Sequence, residues 1–395
     1  MSAEIPVEQF DPLAGGSIAA IREGLVRTRA GACPVPHIGP GLAFVPRHGT
    51  VLTALRAVDQ LSNHGNFTVE SDDGDALLPE MITQADPPAH TALRALLRPA
   101  FARRVIVDAE PWISAGAHEL VDRFPAGGPV DLIDEFALPL TSRVISRLVG
   151  VPPEDTAELT RLCLVITSML PARFLGTDAW RRLEQYFTEA GRERRSSAEP
   201  PDDLLTLLAR GEVDGRALTD QEIAFHAWQL FVAGLETTAY TIGTTVHQLL
   251  DDRSRWTELL AGRTDLDNTR EEGLRFASAI RFVVRSVASP LDLEGQPLQV
   301  GDRVVVGLES ANLDEDVFGP DAHSFDPHRA GARRHVSFGH GIHLCLGAEL
   351  ARTEISTALG VLLDRLPGLR LAPGAAVEEI ESPMFCGPKH LPVIW

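Results

Sequence analysis

The sequence predicts a mainly α-helical fold with small β-sheets, and three observations predict it. A long helical stretch opens on Thr219-Asp220-Gln221-Glu222, a helix-start signature, and runs to about residue 251. The run CLGAELARTEISTALGVLLDRL, 345–366, is apolar at helical spacing and rich in good helix formers. Between them the pattern changes. LDLEGQPLQVGDRVVVGLE, 291–309, alternates and carries turn glycines, which reads as strands joined by hairpins.

The other elements follow in chain order. CPVPHIGP (33–40) is an irregular, proline-rich connection, and GLAFVPRHGTVL (41–52) reads as short strands and a turn. TALRALLRPAFA (91–102) places Leu93, Leu96 and Leu97 at helical spacing behind the start signal DPPAH. FPAGGPVD (124–131) and SSAEPPDD (196–203) are breaks. TREEGLRF (269–276) belongs to a helix, DPHRAGARRHVSFGHGIHL to a loop, and the ending GPKHLPVIW to a strand. No internal repeat or low-complexity segment interrupts the series. A length of 395 residues, 44% hydrophobic and 23% charged, is ample for a core.

Charge excludes some partners. With 55 acidic and 36 basic residues the net charge is −19, which repels nucleic-acid backbones and anionic membranes, so neither is an expected partner. The opening MSAEIPVEQFDPLAGG does not resemble a secretory leader. The longest apolar region, 223–250, carries Glu236 in its middle, so no membrane span is expected either. The expected location is cytoplasmic. The four cysteines, Cys33, Cys163, Cys345 and Cys386, are scattered, which argues against a disulfide framework.

Cys345 has a distinctive setting. It stands at a helix start behind a loop carrying Gly339 and Gly341. Helix amides and the dipole favour a thiolate there, and glycines let backbone approach a flat ligand. His343 could point the same way. Three readings stand on these residues alone. Cys345 is a buried thiol at a helix start, or it binds zinc with His340 and His343 although no fourth ligand is close in sequence, or its thiolate binds haem iron.

The string FGHGIHLCLGAELAR resembles the haem-binding signature of the cytochrome P-450 family, with Phe338, Gly341, Cys345 and Gly347 at the signature positions. Other segments follow in the family's order. Glu272-Gly-Leu-Arg275, by itself only a helix-surface pair at i,i+3, resembles the ExxR element, and Arg329 in FDPHR matches the arginine that joins it. Ala233-Gly-Leu-Glu236-Thr237-Thr238 resembles the distal-helix signature. On its residues alone it reads as a kinked core helix, since Gly costs about 1 kcal/mol in a helix and the Thr237 hydroxyl can bond the Ala233 carbonyl. His90 and Arg94 share a helix face at i,i+4 and match the propionate-binding helix, as Arg285 matches the arginine after ExxR. The resemblance runs from about Ala85 to the C-terminus.

The resemblance implies a prism-shaped, mainly α fold, with residues 1–395 forming one haem-thiolate domain that holds haem b (iron protoporphyrin IX). Cys345 would be the iron ligand. Phe338, Gly339, Gly347 and Ala233 would lie against the macrocycle, and His90, Arg94, Arg285 and His343 would meet its propionates. Glu236 and Thr237 would be the catalytic pair that delivers protons for O2 activation. Glu272, Arg275 and Arg329 would be structural. With no flavin or iron–sulfur module recognisable, electrons would come from a ferredoxin and ferredoxin reductase. The docking candidates are Arg98, Arg103, Arg104, Arg333 and Arg334, which are otherwise simply solvated. The substrate would be a hydrophobic small molecule, such as an intermediate of secondary metabolism. Its pocket would draw on 67–82, Val232, Ala233, 280–284 including Val283 and Val284, and Met384 and Phe385. The same fold also allows peroxide-driven chemistry, oxidative C–C or C–N coupling or cyclisation, or a non-enzymatic haem sensor.

Overall fold

The computed structural model describes residues 11–13, 16–66, 81–126, 128–169 and 174–395. Seven helices position the site: α1 (Ala89–Leu97), α2 (Arg103–Asp122), α3 (Leu138–Val149), α4 (Pro153–Thr167), α5 (Asp220–Asp251), α6 (Leu266–Ala277) and α7 (Ala348–Arg365). At 32 residues α5 is about 48 Å long. Thr219 and Glu222 start it with a capping box, each side chain accepting from the other residue's backbone N–H. The helix is buried on most sides, with α3, α4, α6 and α7 packed against it.

Gly234 has a packing reason. A Cβ there would come within 2.8 Å of the Ile145 side chain on α3. The glycine lets two helices approach, which offsets its helix-propensity cost.

The main sheet has five strands: β1 (His37–Gly39), β2 (Leu42–Val45), β3 (Leu61–Ser62), β4 (Phe282–Val287) and β5 (Arg303–Gly307), in the order β1-β2-β5-β4-β3. β5 runs parallel to β2 and antiparallel to β4, with Val304 opposite Arg285. Strand alternation puts Val283, Arg285 and Val287 on one face of β4 and Phe282 and Val284 on the other. The alternating stretch 291–309 supplies β5 and the small hairpin Leu291–Leu293 with Gln296–Leu298.

Four boundaries differ from the sequence reading. Residues 41–52 give β2 and then a helix, His48–Arg56, whose first turn is satisfied from afar: the His48 N–H donates to the Asp314 carboxylate at 2.8 Å. No local cap signals that start. The α1 stretch changes to a 3-10 turn, Arg98–Phe101, at Pro99, which has no N–H to give. The terminal segment is two strands, Pro388–His390 and Pro392–Ile394, interrupted where the Leu391 N–H turns to Asp131. Finally, α7 begins at Ala348, so Cys345 belongs to the preceding loop, where its N–H donates to Phe338 O at 2.8 Å. Among the described residues no helix is long and apolar enough to cross a membrane.

Candidate functional site

The loop before α7 is shaped by two glycines in the left-handed region, Gly339 (φ 70°) and Gly341 (φ 73°). A Cβ on Gly341 would stand 2.8 Å from the Leu55 carbonyl oxygen, so this turn has no room for another residue. Cys345 is solvent-accessible in this loop. Burial pushes its thiol up, and the Gly347 backbone N–H and the Arg94 and Arg352 guanidiniums offset that only in part.

A charged clamp braces this loop. The Arg352 guanidinium lies 4.8 Å from the Phe338 ring centre, and the His335 ring is 5.7 Å from it on centroids. Glu271 holds both, accepting from Arg352 at 2.9 and 3.2 Å and from His335 Nε2 at 3.3 Å. The His335 Nδ1 accepts from the Ser337 N–H, so the ring proton is on Nε2. Burial pulls the Glu271 carboxyl up, but bonds from His335 and Arg352 outweigh it and hold it well below the usual carboxylate range. The sequence reading assigned no role to Glu271, His335 or Arg352. Their partners lie 64 and 81 residues apart, and no local spacing announces them.

His90, Arg94, Arg285 and His343 come together. The His90 and His343 rings stack at 4.1 Å. Burial, then His90, Arg285 and Arg94, push His343 down to about 3. Burial lowers Arg285 to about 10, against the pull of Asp86, and lowers Arg94 and His90 too. His90 Nε2 is buried without a partner. A cluster of bases all held below their ordinary values is short of negative charge. The carboxylates of a haem would supply it, and the residues present fit that group. His340 turns away and accepts from Arg56 at 2.9 Å. Among the described residues the group close enough to share a metal ion directly is Asp131, Asp134 and His390, which does not include Cys345.

On α5 the Thr237 hydroxyl donates to Ala233 O at 2.7 Å, as the spacing predicts, and Thr241 and Thr245 repeat the pattern at 2.8 and 2.7 Å. Ala233 is exposed and Val232 and Thr237 are half-buried, in the middle of a helix otherwise mostly buried. Glu236 lies elsewhere. Successive helix residues point about 100° apart, and the Glu236 carboxyl is buried, accepting from the Tyr240 hydroxyl at 2.9 Å. Burial raises its pKa; hydrogen bonds from Thr167 and Tyr240 oppose that. Tyr240 went unassigned in the sequence although it sits at i+4 from Glu236.

Glu272 and Arg275 on α6 are wholly buried and paired twice, at 2.7 and 2.8 Å, and Arg329 joins Glu272 at 3.2 Å. The pocket candidates are not all brought together. Val283 packs with Val304 and Val306, whereas Val284 and Met384 pack on the other side with Ile21 and Leu25. Phe385 pairs with Ile280 across an isolated bridge. Met81 and Ile82 are buried, and 67–80 lie outside the described residues. Arg98, Arg103, Arg104, Arg333 and Arg334 are all exposed, and Val105 and Val107, which follow Arg103 and Arg104 in the chain, are exposed too.

Known proteins resemble this chain over most of its length. The family model described as Cytochrome P450 matches residues 166–260 and 260–389. A steroid C26-monooxygenase of Mycobacterium tuberculosis is 32% identical over 97% of this chain and 96% of its own. The erythromycin C-12 hydroxylase of Saccharopolyspora erythraea is 33% identical over 90% of this chain and 89% of its own. The structure of a mutant of P450 EryK in complex with erythromycin B superposes with a TM-score of 0.86, at 32% identity, covering 95% of this chain and 96% of that one.

Proposed function

This chain belongs to the cytochrome P450 family and is a haem-dependent monooxygenase using O2 and an external electron donor, and on that premise we propose that Cys345 binds the iron of haem b in an enzyme that hydroxylates a hydrophobic natural-product intermediate. The observation that carries this reading is Cys345 itself, exposed in the loop before α7, where the Gly347 amide and the Arg94 and Arg352 charges work against the burial that pushes its thiol up. When bound, a thiolate-ligated haem activates O2 for insertion of one oxygen atom into a C–H bond. The chain's own residues bind and orient. His90, Arg94, Arg285 and His343 would hold the haem carboxylates; Phe338, Gly339, Gly347 and Ala233 would lie against its ring; Glu272, Arg275 and Arg329 brace the fold. The test is the carbon monoxide difference spectrum of the dithionite-reduced protein. A strongly red-shifted Soret band is expected, and a band typical of histidine ligation would overturn the reading.

Glu236 and Thr237 handle protons in this reading. Thr237, on the accessible stripe of α5, would offer its hydroxyl to the oxygen chemistry that the haem supplies, and Glu236 would resupply the proton. Thr237→Ala is expected to keep the carbon monoxide spectrum but to release peroxide, with product formed per NADH falling by roughly tenfold or more. Product yield equal to the wild type would remove Thr237 from the mechanism.

The substrate class rests on two supports. The candidate lining residues Val232, Val283 and Phe385 are apolar, and relatives are named for hydroxylating erythromycin and mycinamicin IV. The electron donor in this reading is a ferredoxin, itself reduced by a ferredoxin reductase, docking on Arg98, Arg103, Arg104, Arg333 and Arg334. Arg103→Glu with Arg104→Glu is expected to slow reduction by an acidic ferredoxin roughly tenfold at low salt, the difference vanishing at high salt. A rate unchanged at low salt would place the docking face elsewhere.

A further inference from the structure

Buried glutamates in this protein sit against arginines. Glu271 pairs with Arg270 and Arg352, Glu272 with Arg275 and Arg329, and Glu309 with Arg22 and Arg281. Glu236 and Glu354 have no such cation among the described residues. Burial alone acts on Glu354 and pushes its carboxyl well above the usual range. Glu236 is in a different position. The Tyr240 hydroxyl, one turn along α5, donates to its Oε1 at 2.9 Å, and the nearby Thr167 hydroxyl on α4 lowers its pKa in the same sense. Cys163, also on α4, feels the Glu236 charge, but burial pushes its thiol well up and it stays neutral. Its Oε2 is buried without a partner. An ionised Glu236 therefore has only hydroxyl dipoles to stabilise it, where its neighbours in other buried pairs have full charges.

The placement of Tyr240 is built into the fold. The ring is buried, and the C-terminal segment passes so close that a Cβ on Gly387 (φ 153°) would stand 2.6 Å from the Tyr240 Cβ. Burial, and the nearby Glu236, push the phenol above its ordinary range, so it stays a donor at any working pH.

We propose that Tyr240 is a positioning residue for proton delivery, its hydroxyl holding the Glu236 carboxyl and stabilising the carboxylate left when that proton departs toward Thr237. The proposal rests on the reading of Glu236 as the proton-delivering acid. Its sign follows from the bond. A donated O–H favours the charged form of the acid, so losing it makes Glu236 a weaker acid.

The experiment compares the wild type, Tyr240→Phe and Glu236→Gln, each loaded with haem and checked for an unchanged carbon monoxide band. The infrared difference between wild type and Glu236→Gln isolates the carboxylic C=O stretch of Glu236. In Tyr240→Phe that band is expected to move to higher frequency and to persist to higher pH, and turnover to slow by roughly tenfold at unchanged KM, with a larger solvent isotope effect. If Glu236→Gln turns over at the wild-type rate, the acid reading fails and takes the proposal with it. If Glu236→Gln is slow but Tyr240→Phe leaves the band, its pH midpoint and the rate unchanged, the role of Tyr240 alone is overturned.

Discussion

Arg275→Ala is expected to destabilise the protein by about 3–5 kcal/mol, the usual cost of removing one partner of a buried ion pair. Total stabilities of domains run to only about 5–15 kcal/mol, so most of it would be gone. Arg275 makes five hydrogen bonds: two to Glu272 and one each to the carbonyls of Asn312, Ala322 and Ser324. Deleting it leaves an under-compensated buried carboxylate, although Arg329 still reaches Glu272, and it strips the buried carbonyls of Asn312 and Ala322, while Ser324 O keeps its bond from Arg329. The damage has a route to the cysteine. The Asn312 side chain donates to Ser337 Oγ at 2.8 Å and accepts from the Val336 N–H at 2.7 Å, and Phe338 O holds the Cys345 N–H. Loosening Asn312 therefore loosens the loop that presents Cys345. Arg275→Lys should recover little, because one ammonium cannot reproduce a fork of five donors. The check is the denaturant midpoint together with the fraction of protein that retains haem. A variant within about 1 kcal/mol of the wild type would show that the pair is dispensable.

What the sequence could disclose was what lies within one helical turn or one short loop. Glu272 with Arg275, Thr237 with the Ala233 carbonyl, and His90 with Arg94 are all spaced at i,i+3 or i,i+4, and all three are found as helix geometry requires. Tyr240 is equally local to Glu236, and the same rule would have found it. The clamp of Glu271, His335 and Arg352 around Phe338 could not be read, because three separate segments meet there. The helix start at His48 was hidden for the same reason, its capping group being Asp314. Val283 and Val284 illustrate a different limit. Both are apolar and adjacent, and only the strand's alternation, visible once β4 is placed between β5 and β3, sends them to opposite faces.

Cys345→Ser is expected to abolish monooxygenase turnover, the largest functional loss in the chain. Serine is nearly isosteric, so the loop should survive: Gly339 and Gly341 keep their turns, and the backbone bond from residue 345 to Phe338 O does not involve the side chain. What changes is the donor atom. The features around Cys345 that lower a thiol pKa, the Gly347 amide and the Arg94 and Arg352 charges, cannot bring an alcohol within reach of ionisation at neutral pH. The soft anionic sulfur whose electron donation favours O–O cleavage is thus replaced by a neutral hydroxyl. The reduced, carbon monoxide-treated variant should lack the strongly red-shifted Soret band even where some haem is retained. Cys163→Ser and Cys386→Ser make the control. Both thiols are buried and pushed up by burial, neither lies in the loop, and their substitution should cost stability while leaving the band in place. Retention of the band in Cys345→Ser, or its loss in either control, would move the iron ligand to another residue.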